Sequence, residues 1–245
     1  MTAILEISHV SKRFGGLRAV SDVSFSINEN ETVFIVGPNG AGKTTLFNLI
    51  SGVIHPDEGT IRYRGEDITH TRPDVAANLG IGRTFQIVKP LRNLTVLENV
   101  MLGAFLRTGR SDEARKKAQE VLKFLQMERV SDQPALGLPL AMLKRLEIAR
   151  ALATGPKLIL LDEVVSGLAT GEALALAELL THLHEWGISA IGGVEHVMQV
   201  VMRVAQRVVV LDHGNLIAEG TPSEVVHKPE VIEAYLGAKY KELGL

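Results

Sequence analysis

Val33-Phe34-Ile35-Val36 runs directly into Gly37-Pro38-Asn39-Gly40-Ala41-Gly42-Lys43-Thr44. The four β-branched or aromatic residues predict a strand, and the octapeptide satisfies the spacing G-x-x-x-x-G-K-[ST]. Glycines at this spacing let the backbone wrap a polyphosphate with its N–H groups pointing inward, where a helix N-terminus favours anions. The Lys43 ammonium then meets the β- and γ-phosphates, and the Thr44 hydroxyl can hold Mg2+. Gly37, Pro38, Asn39, Gly40, Ala41, Gly42, Lys43, Thr44 and the following Thr45 are the expected nucleotide-binding residues. From average residue usage the pattern arises by chance in roughly one chain in a hundred of this length, so a plain glycine-rich turn is the weaker reading.

A second apolar run, Leu158-Ile159-Leu160-Leu161, ends in Asp162-Glu163. A buried strand that delivers two acids to its C-terminal end places them where open α/β sheets bind ligands. Asp162 suits Mg2+, and Glu163 suits polarising a water for attack on the γ-phosphate. No N-K-x-D tetrapeptide occurs, which argues against guanine recognition. Two more apolar runs, 188–191 and 208–211, fit parallel strands covered on both faces. Between them and the second run lies a helical pattern from Thr170 to Trp186, with Gly187 as its stop. Residues 4–32 and 57–65 alternate in polarity around turn signals, predicting an antiparallel sheet. From about 87 to 153 the pattern is helical, with Ala114, Ala118, Val121, Leu122 and Leu125 on one face. The expected fold is α/β: a P-loop NTPase core with a mostly parallel sheet, an N-terminal antiparallel β subdomain, and a helical subdomain inserted between the first and second core strands. Residues 1–245 read as one domain.

Apolar residues make up 46% and charged residues 22%, as in a globular protein and unlike a disordered chain. Net charge is −2, which gives no broad attraction to nucleic acid. Cysteine is absent, so a disulfide scaffold, a thiolate metal site and a cysteine nucleophile are excluded. No stretch approaches the roughly 18 uncharged apolar residues of a membrane span. Any work at a membrane therefore implies binding something already there.

Taken together, these motifs resemble the ATP-binding subunits of ABC transporters over essentially the whole chain. Arg83-Thr84-Phe85-Gln86 resembles the Q-loop, Glu195-His196 the switch histidine, and residues 138–150 the signature region and its helix. The resemblance implies a single ABC ATPase domain with ATP and Mg2+ as cofactors. By position it implies that Gln86 senses Mg2+ and the attacking water, that His196 contacts the γ-phosphate, and that Phe14 stacks on adenine. Glu163, His196 and Gln86 are then the catalytic set, and Thr44, Gln86 and Asp162 the metal set. Ile81-Gly82-Arg83-Thr84-Phe85-Gln86 leading into Leu94-Thr95-Val96-Leu97-Glu98-Asn99-Val100 resembles the branched-chain amino-acid uptake group. So does the tail Ile217-Ala218-Glu219-Gly220-Thr221-Pro222, although lipopolysaccharide-export ATPases share a similar tail.

Two departures stand out. Where the family typically has L-S-G-G-Q, this chain has Leu138-Pro139-Leu140-Ala141-Met142. In the family this segment faces the ATP of the other subunit in a head-to-tail dimer. Pro139 supplies neither hydroxyl nor N–H, and the Ala141 Cβ limits close approach of backbone to phosphate. Ala169 stands where a D-loop aspartate aligns. The expectation is an ATPase subunit that powers an importer of branched-chain or other hydrophobic amino acids or related small solutes. A nucleotide-gated regulatory subunit with weak or no hydrolysis and a lipopolysaccharide-export type ABC ATPase are the alternatives. Implied partners are a second ATPase subunit, in a homo- or heterodimer, membrane permease subunits near Arg92 and Leu94, and indirectly a solute-binding protein, with no nucleic acid. The implied location is cytoplasmic, peripheral on the inner face of the cell membrane.

Overall fold

The computed structural model describes residues 2–91 and 93–242. Strands β1 (Ala3–Phe14) and β2 (Leu17–Asn28) pair antiparallel across the turn at Gly15 and Gly16. Val20, Val23, Phe25 and Ile27 are buried along β2 with exposed residues between, the mark of a sheet with one wet face. Strand β3 (Glu31–Val36), buried from Thr32 onward, then enters the phosphate loop, and α1 (Lys43–Ile50) leaves it. Next, β4 (Glu58–Tyr63) and β5 (Glu66–Asp67) complete a four-stranded sheet of order β2-β1-β4-β5. Helix α2 (Pro73–Leu79) ends at Gly80, whose φ of 108° suits glycine, and β6 (Ile81–Arg83) follows.

Among the described residues, three α-helices come between β6 and the next strand. In α3 (Val96–Ala104) the Thr95 hydroxyl and the Glu98 carboxylate form a reciprocal capping box. Helix α4 (Ser111–Phe124) buries Ala114, Ala118, Val121 and Leu122 along the face that its period predicts. Helix α5 (Leu140–Ala153) follows, and the Arg150 carbonyl lies so close to Gly103 that a Cβ there would sit 2.4 Å from it. The remaining elements are β7 (Leu158–Asp162), α6 (Thr170–Thr181), β8 (Ala190–Val194), α7 (Met198–Val204), β9 (Arg207–Asp212), β10 (Asn215–Gly220), α8 (Pro222–Val225) and α9 (Pro229–Glu242).

The central sheet has the order β10-β9-β3-β8-β7-β6, parallel throughout except for β10. Its side chains alternate between two cores, as a period of two requires. Phe34, Val36, Ile159, Leu161, Val208 and Val210 pack with α3 to α7. Val33, Ile35, Leu158, Leu160, Val209 and Leu211 pack with α1 and the antiparallel sheet.

Several boundaries differ from the sequence reading. The run at 188–191 becomes β8 at Ala190–Val194, with Ile188 in the preceding loop. Gly192 and Gly193 extend the strand because a Cβ at 193 would lie 2.4 Å from the Phe34 ring of the neighbouring strand. Helix α6 stops at Thr181, and turns carry the chain from there to Gly187. Strands β6 and β10 were not expected. The first is three residues held by pairing with β7, and the second closes a hairpin through His213 and Gly214, both at positive φ. The helices α3 to α5 consequently separate β6 from β7, two neighbours at the sheet edge, and β3 lies further inside.

Candidate functional site

Parallel pairing brings three strand ends to one edge. Val194 of β8 sits opposite Ile35 of β3 on one side and Asp162 of β7 on the other. The phosphate loop, Glu195-His196 and Asp162-Glu163 therefore leave the sheet side by side, spanning about 10 Å at ordinary strand spacing.

The phosphate loop is held open by backbone conformations that L side chains rarely adopt. Gly37, Gly40 and Gly42 have φ of 150°, 81° and 100°. A Cβ at Gly37 would lie 2.1 Å from the Leu211 carbonyl oxygen, and one at Gly42 would lie 2.3 Å from that of Ala19. Helix α1 starts at Lys43 with no side-chain cap, so its first N–H groups and the positive end of its dipole face the loop. The buried Lys43 ammonium donates to the carbonyls of Gly37 (2.8 Å) and Pro38 (2.9 Å). Burial lowers its pKa, and the nearby Glu163 and Asp162 oppose that shift.

A cleft of about 430 Å3 opens over this loop. Phe14, Asn39, Gly40, Ala41, Gly42, Lys43, Thr44, Thr45, Gln86 and Glu163 line it, joined by Arg18 and His213. Phe14 is 49% exposed, which leaves a ring face free for a planar ligand. An adjoining cavity of about 530 Å3 is lined by Thr44, Gln86 and Asp162 together with Arg83 and Arg150. Hydroxyl, amide and carboxylate side chains thus share one cavity wall, donor types that suit a hard cation such as Mg2+. Asp162 Oδ2 accepts from Arg83 Nη2 at 3.1 Å, while its buried Oδ1 has no partner. Burial pushes the Asp162 carboxyl above the usual carboxylate range, and the Arg83 guanidinium opposes that shift.

Glu163 is half-buried at φ 48°. Its N–H donates to Val194 O (2.9 Å), and its Oε2 accepts from Gln86 Nε2 (2.7 Å). Gln86, Glu163 and the phosphate loop are therefore brought together. His196 is not, since it is exposed on the loop after β8 and lines neither cavity. Leu94 is half-buried, with its carbonyl accepting from Ala135 N–H and Asn99 Nδ2; Arg92 lies outside the described residues. Sequence reasoning passed over Arg83, Lys144 and Glu195. The first stood within the quoted Q-loop, but its ion pair needs β6 beside β7.

A family model described as ABC transporter matches residues 20–166, well over half of the chain. This chain belongs to the ATP-binding cassettes of ABC transporters. The cassette also matches, over residues 215–241, a model described as branched-chain amino acid ATP-binding cassette transporter. It is 35% identical, over 98% of both chains, to a probable branched-chain amino acid transport ATP-binding protein LivG of Archaeoglobus fulgidus. It is 36% identical to the high-affinity branched-chain amino acid transport ATP-binding protein BraF of Pseudomonas aeruginosa, over 96% of this chain and 98% of that one. The ADP conformation of MJ1267, an ATP-binding cassette of an ABC transporter, superimposes with a TM-score of 0.88 at 33% identity, covering 97% of this chain and 100% of that one. A dimeric structure of the cassette MJ0796 bound to ADP and Pi has a TM-score of 0.80 at 29% identity, covering 89% and 98%.

As a member of this family, the cassette is a nucleotide-binding ATPase subunit of a transporter. Pro139 forms the N-cap of α5 and makes no side-chain cap bond, while Leu140 is exposed at the helix start. Ala169 caps α6 only through its N–H, which donates to Glu172 Oε2 at 3.2 Å.

Proposed function

We propose that this cassette hydrolyses ATP to drive a membrane importer whose cargo is branched-chain or other hydrophobic amino acids, or related small solutes. The observation that carries the reading is the Glu163 carboxylate, bonded to Gln86 in the wall of the cleft that the phosphate loop floors. The names borne by the relatives support amino acids over lipopolysaccharide as cargo.

Phe14 stacks on the adenine, and the loop N–H groups from Gly40 to Thr45 hold the phosphates. Lys43 exchanges its two carbonyl acceptors for β- and γ-phosphate oxygens, a gain because those acceptors carry full charge. Glu163 orients the attacking water and accepts its proton, and Gln86 fixes the carboxylate while it does so. His196 reaches the γ-phosphate only after its loop turns inward. Thr44, Asp162 and Gln86 would hold Mg2+, which when bound neutralises charge on the phosphates; the orphaned Asp162 Oδ1 is suited to it.

Two such subunits would close head to tail on ATP and reopen after phosphate release. With Pro139 and Ala141 in place of the hydroxyl and glycine, this chain gives its partner a weakened site, so we place it in a heterodimer beside a complete signature. Among the described residues no helix is long and apolar enough to cross a membrane, so separate permease subunits supply the path and the cassette sits peripherally on the inner face. The permease would dock at the 320 Å3 hollow lined by Val53, Phe85 and Leu102, between α5 and the Q-loop. A solute-binding protein acts only through that permease.

Steady-state ATP hydrolysis by the purified chain and by the chain with its permease tests the enzymatic reading. Turnover abolished by Glu163→Gln with ATP binding retained is the expected result; equal turnover in the variant would overturn it. Uptake of labelled leucine, isoleucine and valine in a strain lacking the chain tests the cargo, and undiminished uptake would refute it.

A further inference from the structure

Lys144 lies on α5, five residues after its Pro139 N-cap, and is buried at 5% exposure. A lysine there needs partners, because an unpaired ammonium away from water is costly. Its Nζ donates to the backbone carbonyl of Glu163 at 2.9 Å and to that of Gln86 at 3.3 Å. Burial lowers the ammonium's pKa, whereas Glu195, Glu163, Asp162 and Glu147 around it favour the charged form. One cation thus joins three separate pieces of chain: the signature helix, the loop after β6 and the loop after β7.

The Glu163 backbone is what this contact holds. At φ 48° Glu163 adopts a left-handed conformation that a residue with a Cβ keeps only when its surroundings impose it. Its N–H is tied to Val194 of β8, its carbonyl to Lys144 of α5 at 2.9 Å and, more weakly, to the Ser166 N–H at 3.2 Å, and its carboxylate to Gln86. Remove the middle tie and the carbonyl loses a charge-assisted bond, while the Gln86 backbone loses its link to the same atom.

We infer that Lys144 is a positioning residue for hydrolysis: its two carbonyl bonds set the direction of the Glu163 carboxylate and make that direction depend on where α5 sits. The inference deepens the ATPase reading and rests on it for the role of Glu163. It also gives α5 a task within its own subunit that does not need the hydroxyl and glycine missing at its start. Movement of the helical segment, however caused, then reaches the attacking water through a single side chain.

The test compares Lys144→Met, which keeps the stem and loses the donor, with Lys144→Arg, which keeps charge and donors, and Lys144→Gln, which keeps a donor alone. In the complete transporter complex, Lys144→Met should lower kcat by about 10- to 100-fold, the cost of a misplaced catalytic group. Its ATP Kd should stay within about twofold, and Lys144→Arg should recover most of the loss. A purely structural role would instead change ATP binding and folded yield together with kcat. Amide hydrogen exchange of residues 84–90 and 160–168 is read in parallel. It should rise in Lys144→Met and fall back in Lys144→Arg, whether or not the protein hydrolyses ATP. If Lys144→Met is poorly folded, Lys144→Leu supplies the donor-less comparison, and Lys144→Gln, with a neutral donor, should fall between it and Lys144→Arg. Wild-type kcat and unchanged exchange in the donor-less variant would overturn the inference, whereas loss of the ATPase reading itself would appear as equal turnover in wild type and Glu163→Gln.

Discussion

Replacing Glu195 by glutamine should flatten the pH dependence of stability between pH 6 and pH 8. Glu195 directly follows β8 and is fully buried. Its Oε1 accepts from the Val165 N–H at 3.0 Å, and its Oε2 has no partner. Burial pushes the carboxyl from 4.5 up to about 7; the Val165 N–H and the Lys144 ammonium oppose the shift, and Glu163 adds to it. Since the folded value is the higher one, the native state holds a proton that the unfolded chain has already released. The stability this gives is complete below pH 4.5 and is lost as pH rises through 7. The gap of about 2.5 pH units corresponds to about 3 kcal/mol in all. About 1.4 kcal/mol of it disappears between pH 6 and pH 8, obtained by integrating the bound proton over that interval. Glutamine cannot titrate, so the variant lacks this slope. Urea denaturation of wild type and Glu195→Gln at pH 6, 7 and 8 reads the difference directly. Two parallel stability curves over that range would refute the reasoning.

Arg83→Met should destabilise the nucleotide-free protein by about 3–5 kcal/mol, because it strands the buried Asp162 carboxylate. Thermal melting should recover much of that loss when Mg2+ and ATP are added, and an equal loss with and without them would contradict the assignment of Asp162 as a cation ligand. Pro139→Ser together with Ala141→Gly should raise turnover of the assembled complex by about 10-fold or more, the worth of one hydrogen bond to a charged group. Steady-state hydrolysis by the complex measures it, and unchanged turnover would count against a weakened partner site.

The elements legible in the sequence are those whose cause is local. Residues 33–36 and 158–161 read as strands because a strand buried on both faces has no room for polar residues, and the phosphate loop reads from its own glycines. What stayed hidden depends on partners far along the chain. Strand β6 is a strand only because Ile81 to Arg83 find Leu158 to Leu160, and β8 moves past its apolar run because Gly193 accommodates Phe34. The phosphate loop, Gln86 and Glu163 were legible by motif, whereas Arg83 and Lys144 gain meaning only when carbonyls and carboxylates 19 to 79 positions away arrive beside them. The exposure of His196 had no local sign at all.

The seating of α5 has a mechanical consequence. Its C-terminal end is pinned, with Gly103 pressed on the Arg150 carbonyl and Pro156 against Gly82, while its N-terminal end begins at an exposed proline. Fourteen residues make a rod of about 21 Å. A swing of about 10° around the pinned end would carry Leu140 through about 4 Å and Lys144, nearer the pivot, through about 2 Å. Two ångströms is enough to part a 2.9 Å bond. On the role inferred for Lys144, the helix would therefore work as a lever arm with a switch set part-way along it, converting a small angle at the rim into an open or closed contact at the reacting centre.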